Sequence, residues 1–202
     1  MLDFAEEIVL LQLDYAETRP IDLPLSAFEI VIAGAAVMEL ALRNRLDADL
    51  DRFFLIDQTP TGDAILDDAL LLLDRAGAEF GPRTALECTS DHADAYRQMA
   101  LQGLIAKGII VERESGRYAI IDHREERELK DRLRQELLTD EIPDPNNVML
   151  ICLVEAAGLI GQVLTADEVA RTRARVEQIS RLDLIGHAIA WAVADMRFIV
   201  RH

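Results

Sequence analysis

The sequence reads FEIVIAGAAVMELALRNRL from Phe28 to Leu46, continues through DADLDRFFLID and turns at QTPTGD, ending at Asp63. From Ile30 to Leu42 nearly every position is apolar, and Gly34, Ala35, Ala36 and Ala41 are small enough for neighbouring helices to approach closely. A helix that is apolar on all faces must be buried on all faces. Glu29 and Glu39 interrupt the run well short of the ~20 apolar residues that a membrane span needs. The stretch is therefore expected to be the central helix of a soluble core.

A second wholly apolar helix is expected from Val148 to Leu164, where Ala156, Ala157, Gly158 and Gly161 let it pack on the first. Around this pair the pattern gives amphipathic helices. The first spans residues 2 to 13, with Asp3, Glu6 and Glu7 as an acidic outer face that places it on the core's surface. Thr18 to Pro24 is a loop, because Pro20 and Pro24 push the residues before them out of the helical region. After Leu46 a polar turn precedes a short strand from Arg52 to Asp57, stopped by Pro60 and Gly62. Thr61 or Asp63 caps a helix with Ile65, Leu66, Ala69, Leu70 and Leu73 on one face and Gly77 at its end. Pro82 starts a short helix through Cys88, and Asp91 caps a longer one from His92 to Lys107, closed by Gly108.

A hairpin follows, from Ile109 to Arg113 and from Arg117 to Asp122 around a Ser115-Gly116 turn. Arg124 to Leu138 is a charged helix outside the core, with a narrow Leu129, Leu133, Leu137 stripe and a surface pair of Glu128 with Arg132. Thr165 and Glu168 form a capping box for a helix reaching Ile179. The last helix, from Leu182 to Val200, turns Leu184, Ile185, Ala188, Ile189, Ala192, Val193 and Met196 to one broad face. The fold class expected is mainly α: a buried helical bundle surrounded by amphipathic helices, with a small wing-like β-hairpin and a short extra strand. One domain over residues 1–202 is expected, since nothing rich in Pro, Gly or Ser divides the chain.

Composition limits the partners. The 37 acidic residues outnumber 21 basic ones, a formal charge of -16. That field repels phosphate backbones and anionic bilayers at long range, so an anion site needs a local cluster of Arg or Lys. Cys88 and Cys152 have neither metal nor redox spacing, and the first residues lack the basic and long apolar regions of a signal peptide. A cytoplasmic location is expected.

Chemistry-bearing motifs are scarce. His92, His123, His187 and His202 have no zinc-site spacing, and there is no nucleophile elbow, Walker loop or dinucleotide fingerprint. Asp63, Asp67 and Asp68 could gather a divalent cation, but a helix cap with a solvated acidic face is the stronger reading. Glu39 and Arg43 satisfy each other one turn apart, and Trp191, amid small apolar residues, is expected in the core. The expectation is no enzyme, with no catalytic or metal residues and no cofactor. The helix-then-hairpin order also outlines a winged helix, which makes a nucleic-acid-binding regulator the alternative. Arg97, Lys107, Arg113 and Arg117 are too few against Glu112 and Glu114 for a duplex surface, so no nucleic acid is expected.

Three blocks together resemble the Golgi phosphoprotein 3 family, whose yeast member is a vacuolar-sorting adaptor and which also occurs in bacteria. They are GAAVMELALRNRL (Gly34 to Leu46), PTGDAILDDAL (Pro60 to Leu70) and LIAKGIIVERESGRYAIID (Leu104 to Asp122), in the family's order. The resemblance implies a mostly helical, non-enzymatic adaptor of bacterial type. It also implies a hairpin that mediates oligomerisation in some members, here Ile109 to Asp122. Eukaryotic members bind phosphatidylinositol 4-phosphate at a shallow basic surface and hold glycosyltransferases in the Golgi by their cytosolic tails. Aligned on the shared blocks, Pro24 stands where the family has the tryptophan of that surface, and Ala33 and Asp94 stand where it has arginines. Arg97 alone keeps a lipid-binding arginine. Each lost guanidinium fork forgoes roughly 1.5 to 3 kcal/mol of charged hydrogen bonding. The implied partners are therefore protein clients of unstated identity and, weakly, an anionic phospholipid at the membrane periphery.

Overall fold

Helix α2 (Leu25–Leu42) occupies the centre, with Val31, Ile32, Ala33, Val37, Met38 and Leu40 all at 0% exposure. The computed structural model describes residues 2–18, 25–49 and 52–200, and the side chains among them except those of 14–18, 25–27, 115 and 197–200. The loop expected between Thr18 and Pro24 thus lies largely outside the described residues.

Around α2 pack α1 (Phe4–Thr18), α3 (Ala64–Ala76), α4 (Pro82–Ser90), α5 (Ala93–Ala106), α7 (Pro145–Ala157) and α10 (Leu184–Val200). Gly34 shows why small residues interrupt the apolar run. A Cβ there would lie 3.1 Å from Val193, 3.2 Å from Ile189 and 3.4 Å from Leu153, so α7 and α10 both close onto this one position. The two apolar helices do lie side by side. The second is shorter than its sequence suggests: Gly158, at φ 72°, takes the left-handed C-cap position and ends α7. A separate short helix, α8 (Ile160–Val163), follows. The hydropathy of Val148 to Leu164 is continuous, so only the glycine's conformational freedom marks the break.

Helix α1 also departs from expectation. It runs on to Thr18, and Phe4 through Leu13 are buried without exception. Glu6 and Glu7, expected to face water, are 3% and 6% exposed. Lys107, at the end of α5, donates to Glu6 at 2.5 Å, and Arg132 of α6 (Arg124–Leu138) donates to Glu7 at 2.5 Å. Burial is tolerated because each carboxylate meets a cation from another element. Arg132 therefore does not serve the expected surface pair with Glu128.

The extra strand belongs to a small antiparallel sheet ordered β1 (Leu46–Ala48), β2 (Phe53–Leu55), β3 (Glu79–Phe80). Phe53 and Phe80 meet edge to face, centroids 6.3 Å apart. Strands of two or three residues are too short to show an alternating pattern. The hairpin forms as expected, β4 (Ile110–Arg113) pairing with β5 (Arg117–Ile120) around a 3-10 turn at Glu114–Gly116.

Caps are mostly legible. Asp63 accepts from the backbone N–H groups of Ile65 and Leu66 to start α3, and Thr165 with Glu168 forms the capping box of α9 (Ala166–Ser180). Asp91 does not cap α5: it closes α4, and His92 stands at the α5 N-cap without a side-chain capping bond. Leu129, Leu133 and Leu137 bury their stripe on α6. On α10 the buried face is Ile185, Ile189, Ala192 and Val193, whereas Leu184 is 53% and Trp191 67% exposed. Trp191 is thus not a core residue. Two positions after Ile189 on a helix of 3.6 residues per turn, it points away from the buried face.

Candidate functional site

The four positions that the family resemblance singles out lie on α2, on α5 and in the sequence before α2. Ala33 is 0% exposed, its methyl group sealed inside the core where it can offer nothing to a ligand. Asp94 is exposed in the first turn of α5. Arg97, one turn further, is half-buried, and its Nε is out of water with no hydrogen-bond partner among the described residues. Pro24 lies outside them. The arrangement offers a single guanidinium beside a carboxylate.

The neighbouring surface adds negative charge. Tyr96 donates its hydroxyl to Asp68 of α3 at 2.8 Å, and His92 Nδ1 lies 2.7 Å from the same oxygen. Burial, then Asp68, pushes the Tyr96 hydroxyl well above its ordinary pKa. Asp67 accepts from the Thr61 N–H at 2.5 Å, the Thr61 hydroxyl at 2.7 Å and the Gly62 N–H at 3.3 Å. These bonds, those of Thr61 first, hold its carboxyl below the usual carboxylate range. Asp63, Asp67 and Asp68 therefore serve three separate structural tasks: a helix cap, a loop tie and a link to α5.

A crevice of about 410 Å³ opens where α1, α2 and α6 meet the start of α7, with Glu7, Glu39, Arg43 and Arg132 on its walls. Glu39 accepts from Arg43 Nε at 3.1 Å and from the Phe4 N–H at 3.3 Å, so both arginines in the crevice already face carboxylates. Burial raises the Glu7 carboxyl to about 7, Arg132 opposing it only in part. Asp3 is raised to about 6 by burial and then by the charge of Glu6. The crevice is a seam between helices whose arginines are already taken by carboxylates, and sequence reasoning had given it only the Glu39 and Arg43 pair. Of its cross-helix partners, Glu7 and Arg132 are 125 residues apart and Phe4 and Glu39 are 35 apart, both beyond any local pattern.

A family model described as Golgi phosphoprotein 3 (GPP34) matches residues 4–197. The chain belongs to that family. No curated protein matches the sequence.

In this Golgi phosphoprotein 3 family member the three blocks that carry the resemblance have architectural work. In GAAVMELALRNRL, Gly34 admits α7 and α10, Glu39 holds Arg43 and the start of α1, and Arg45 pairs with Asp57. In PTGDAILDDAL the aspartates cap α3 and tie its preceding loop. In LIAKGIIVERESGRYAIID, Lys107 reaches Glu6, and Gly108 at φ 71° turns the chain from α5 into the hairpin. None of these contacts depends on a headgroup ligand.

Proposed function

We propose that the chain is a non-enzymatic adaptor domain that acts in the cytoplasm through protein contacts. Its association with membranes is weak and peripheral, because the phosphoinositide site of the family is reduced to Arg97. The observation that carries this reading is the pair Ala33 and Asp94, one sealed in the core and the other of the wrong charge. At roughly 1.5 to 3 kcal/mol per lost fork, two absent arginines lower headgroup affinity by about two to four powers of ten. The formal charge of -16 opposes approach to anionic bilayers, and no described helix is long and apolar enough to cross a membrane.

The rival reading, a winged-helix nucleic-acid regulator, has the order of α5, β4 and β5 in its favour. Against it, Lys107 is committed to Glu6, which removes one of the few cations such a surface would use. Liposome flotation, with neutral vesicles and with vesicles carrying phosphatidylinositol 4-phosphate, tests the adaptor reading. Little headgroup-dependent binding is expected. Strong binding that Arg97→Ala abolishes would overturn it.

A further inference from the structure

Helix α7 carries α9 and α10, and where those two splay apart an open groove of about 570 Å³ is left. Ala156 on α7, Val176 on α9 and Ala190 and Ala194 on α10 make the apolar part of its lining, Ser180, His187 and the Arg181-paired Glu177 its polar part, and Trp191 stands on its α10 wall. That indole is 67% exposed, and Leu184, seven residues earlier on the same helix face, is 53% exposed. Two further wall residues, Glu155 on α7 and Arg173 on α9, have no side-chain hydrogen bond or ion pair among the described residues. One surface thus holds an apolar knob, an apolar hole, an unpaired cation and an unpaired anion.

A two-fold interface requires a patch complementary to itself, because each residue meets the other copy's counterpart. We propose that this groove is the contact surface for a second copy of the chain, the Trp191 indole of each copy entering the other's groove. Arg173 of each copy pairs with the partner's Glu155. A bilayer surface of one sign satisfies only one of these two charges, whereas a rotated copy satisfies both. The surface is separate from the β4–β5 hairpin, and the inference does not depend on the adaptor reading. At long range two chains of charge -16 repel, so salt favours the encounter: at 0.15 M ionic strength the Debye length falls to about 8 Å.

The test is sedimentation velocity on the full chain across a concentration series up to ~100 µM, a range that resolves dimers of ordinary affinity. The variants are Trp191→Ala, Arg173→Glu, Glu155→Arg and the double Arg173→Glu/Glu155→Arg. The parent chain is expected to dimerise, more tightly at 0.3 M than at 0.03 M salt. Each single variant is expected to weaken the dimer by about tenfold or more, as loss of a buried aromatic or an interfacial charge pair does. The double variant restores it, because the inverted pair is again complementary across the two-fold axis. Trp191→Ala should melt within a few degrees of the parent chain, since surface changes of this kind shift stability by about 0.5 kcal/mol or less. A monomer at every concentration, a dimer indifferent to Trp191→Ala, or singles not rescued by the double would overturn the proposal. So would a dimer lost only on substitution in the Ile109 to Asp122 hairpin. Flotation reads the adaptor proposal separately, so the two can fail independently.

Discussion

Arg132 of α6 donates to Glu7 of α1 at 2.5 Å, and the carboxylate it meets is 6% exposed. A surface pair with Glu128, one turn earlier on its own helix, would be worth only about 0.3 to 0.5 kcal/mol. Leaving a buried carboxylate without its cation costs several times more. The tertiary pair wins on that difference.

Arg132→Ala is therefore expected to lower stability by about 2 kcal/mol at pH 8, less than for a fully buried pair because Arg132 is itself partly exposed. The penalty should shrink towards pH 5. Glu7 titrates near 7 and Asp3 near 6 in the folded chain, above their ordinary 4.5 and 3.8. Raised carboxyl pKa values stabilise the fold below the ordinary values, and that contribution is lost as pH rises through 6 and 7. Chemical denaturation at pH 5 and pH 8 should show the parent chain more stable at the lower pH. Glu7→Gln, which cannot ionise, should remove the part of the slope that Glu7 contributes between its ordinary 4.5 and about 7. Glu168 acts in the opposite sense: Arg134 and the Thr165 bonds hold it at about 2, so its contribution fades as pH falls from 4.5 towards 2.

Gly103 on α5 lies against the buried Glu6 carboxylate. A Cβ there would sit 2.5 Å from Oε1 of Glu6. On an open helix face Gly→Ala gains up to about 1 kcal/mol of helix propensity. Here the carboxylate cannot simply move aside, since Lys107 and the Asp3 N–H hold it and it is 3% exposed. Gly103→Ala should instead cost about 1 to 2 kcal/mol, as overpacking does. In the Glu6→Ala background, where the obstructing carboxylate is gone, the same substitution should be close to neutral or stabilising. Equal cost in both backgrounds would show that the glycine serves something other than Glu6.

These contacts mark what the sequence could and could not disclose. Helices α2, α3, α6 and α9 were legible because periodicity and caps are local: Asp63, Gly77, Thr165 and Glu168 each act within four residues. The burial of Glu6 and Glu7 was not, because their partners lie 101 and 125 residues away. Without those partners two glutamates on a helix read as a solvated face. The break at Gly158 was hidden by unbroken hydropathy. The exposure of Trp191 was readable from its phase relative to Ile185 and Ile189, had residue type not outweighed position. For the positions that carry the family's lipid contacts, only the resemblance pointed to Arg97, Ala33 and Asp94; no spacing in the chain singles them out.

At PTGD a tied loop and a cation site would respond differently to substitution and to added metal. Asp67 takes three hydrogen bonds from Thr61 and Gly62, and their donors keep its carboxyl ionised to unusually low pH. Those donors occupy the oxygens a divalent ion would need, and Asp63 is already spent on Ile65 and Leu66. Asp67→Ala should then cost about 0.5 to 1.5 kcal/mol through the lost loop hydrogen bonds and speed amide exchange at Thr61 and Gly62. Asp63→Ala should cost about 1 kcal/mol and act on the first turn of α3 instead. Millimolar Mg²⁺ or Ca²⁺ should leave the melting temperature of the parent chain unchanged. A cation-dependent rise that Asp67→Ala abolishes would place an ion where the structure puts the Thr61 and Gly62 donors.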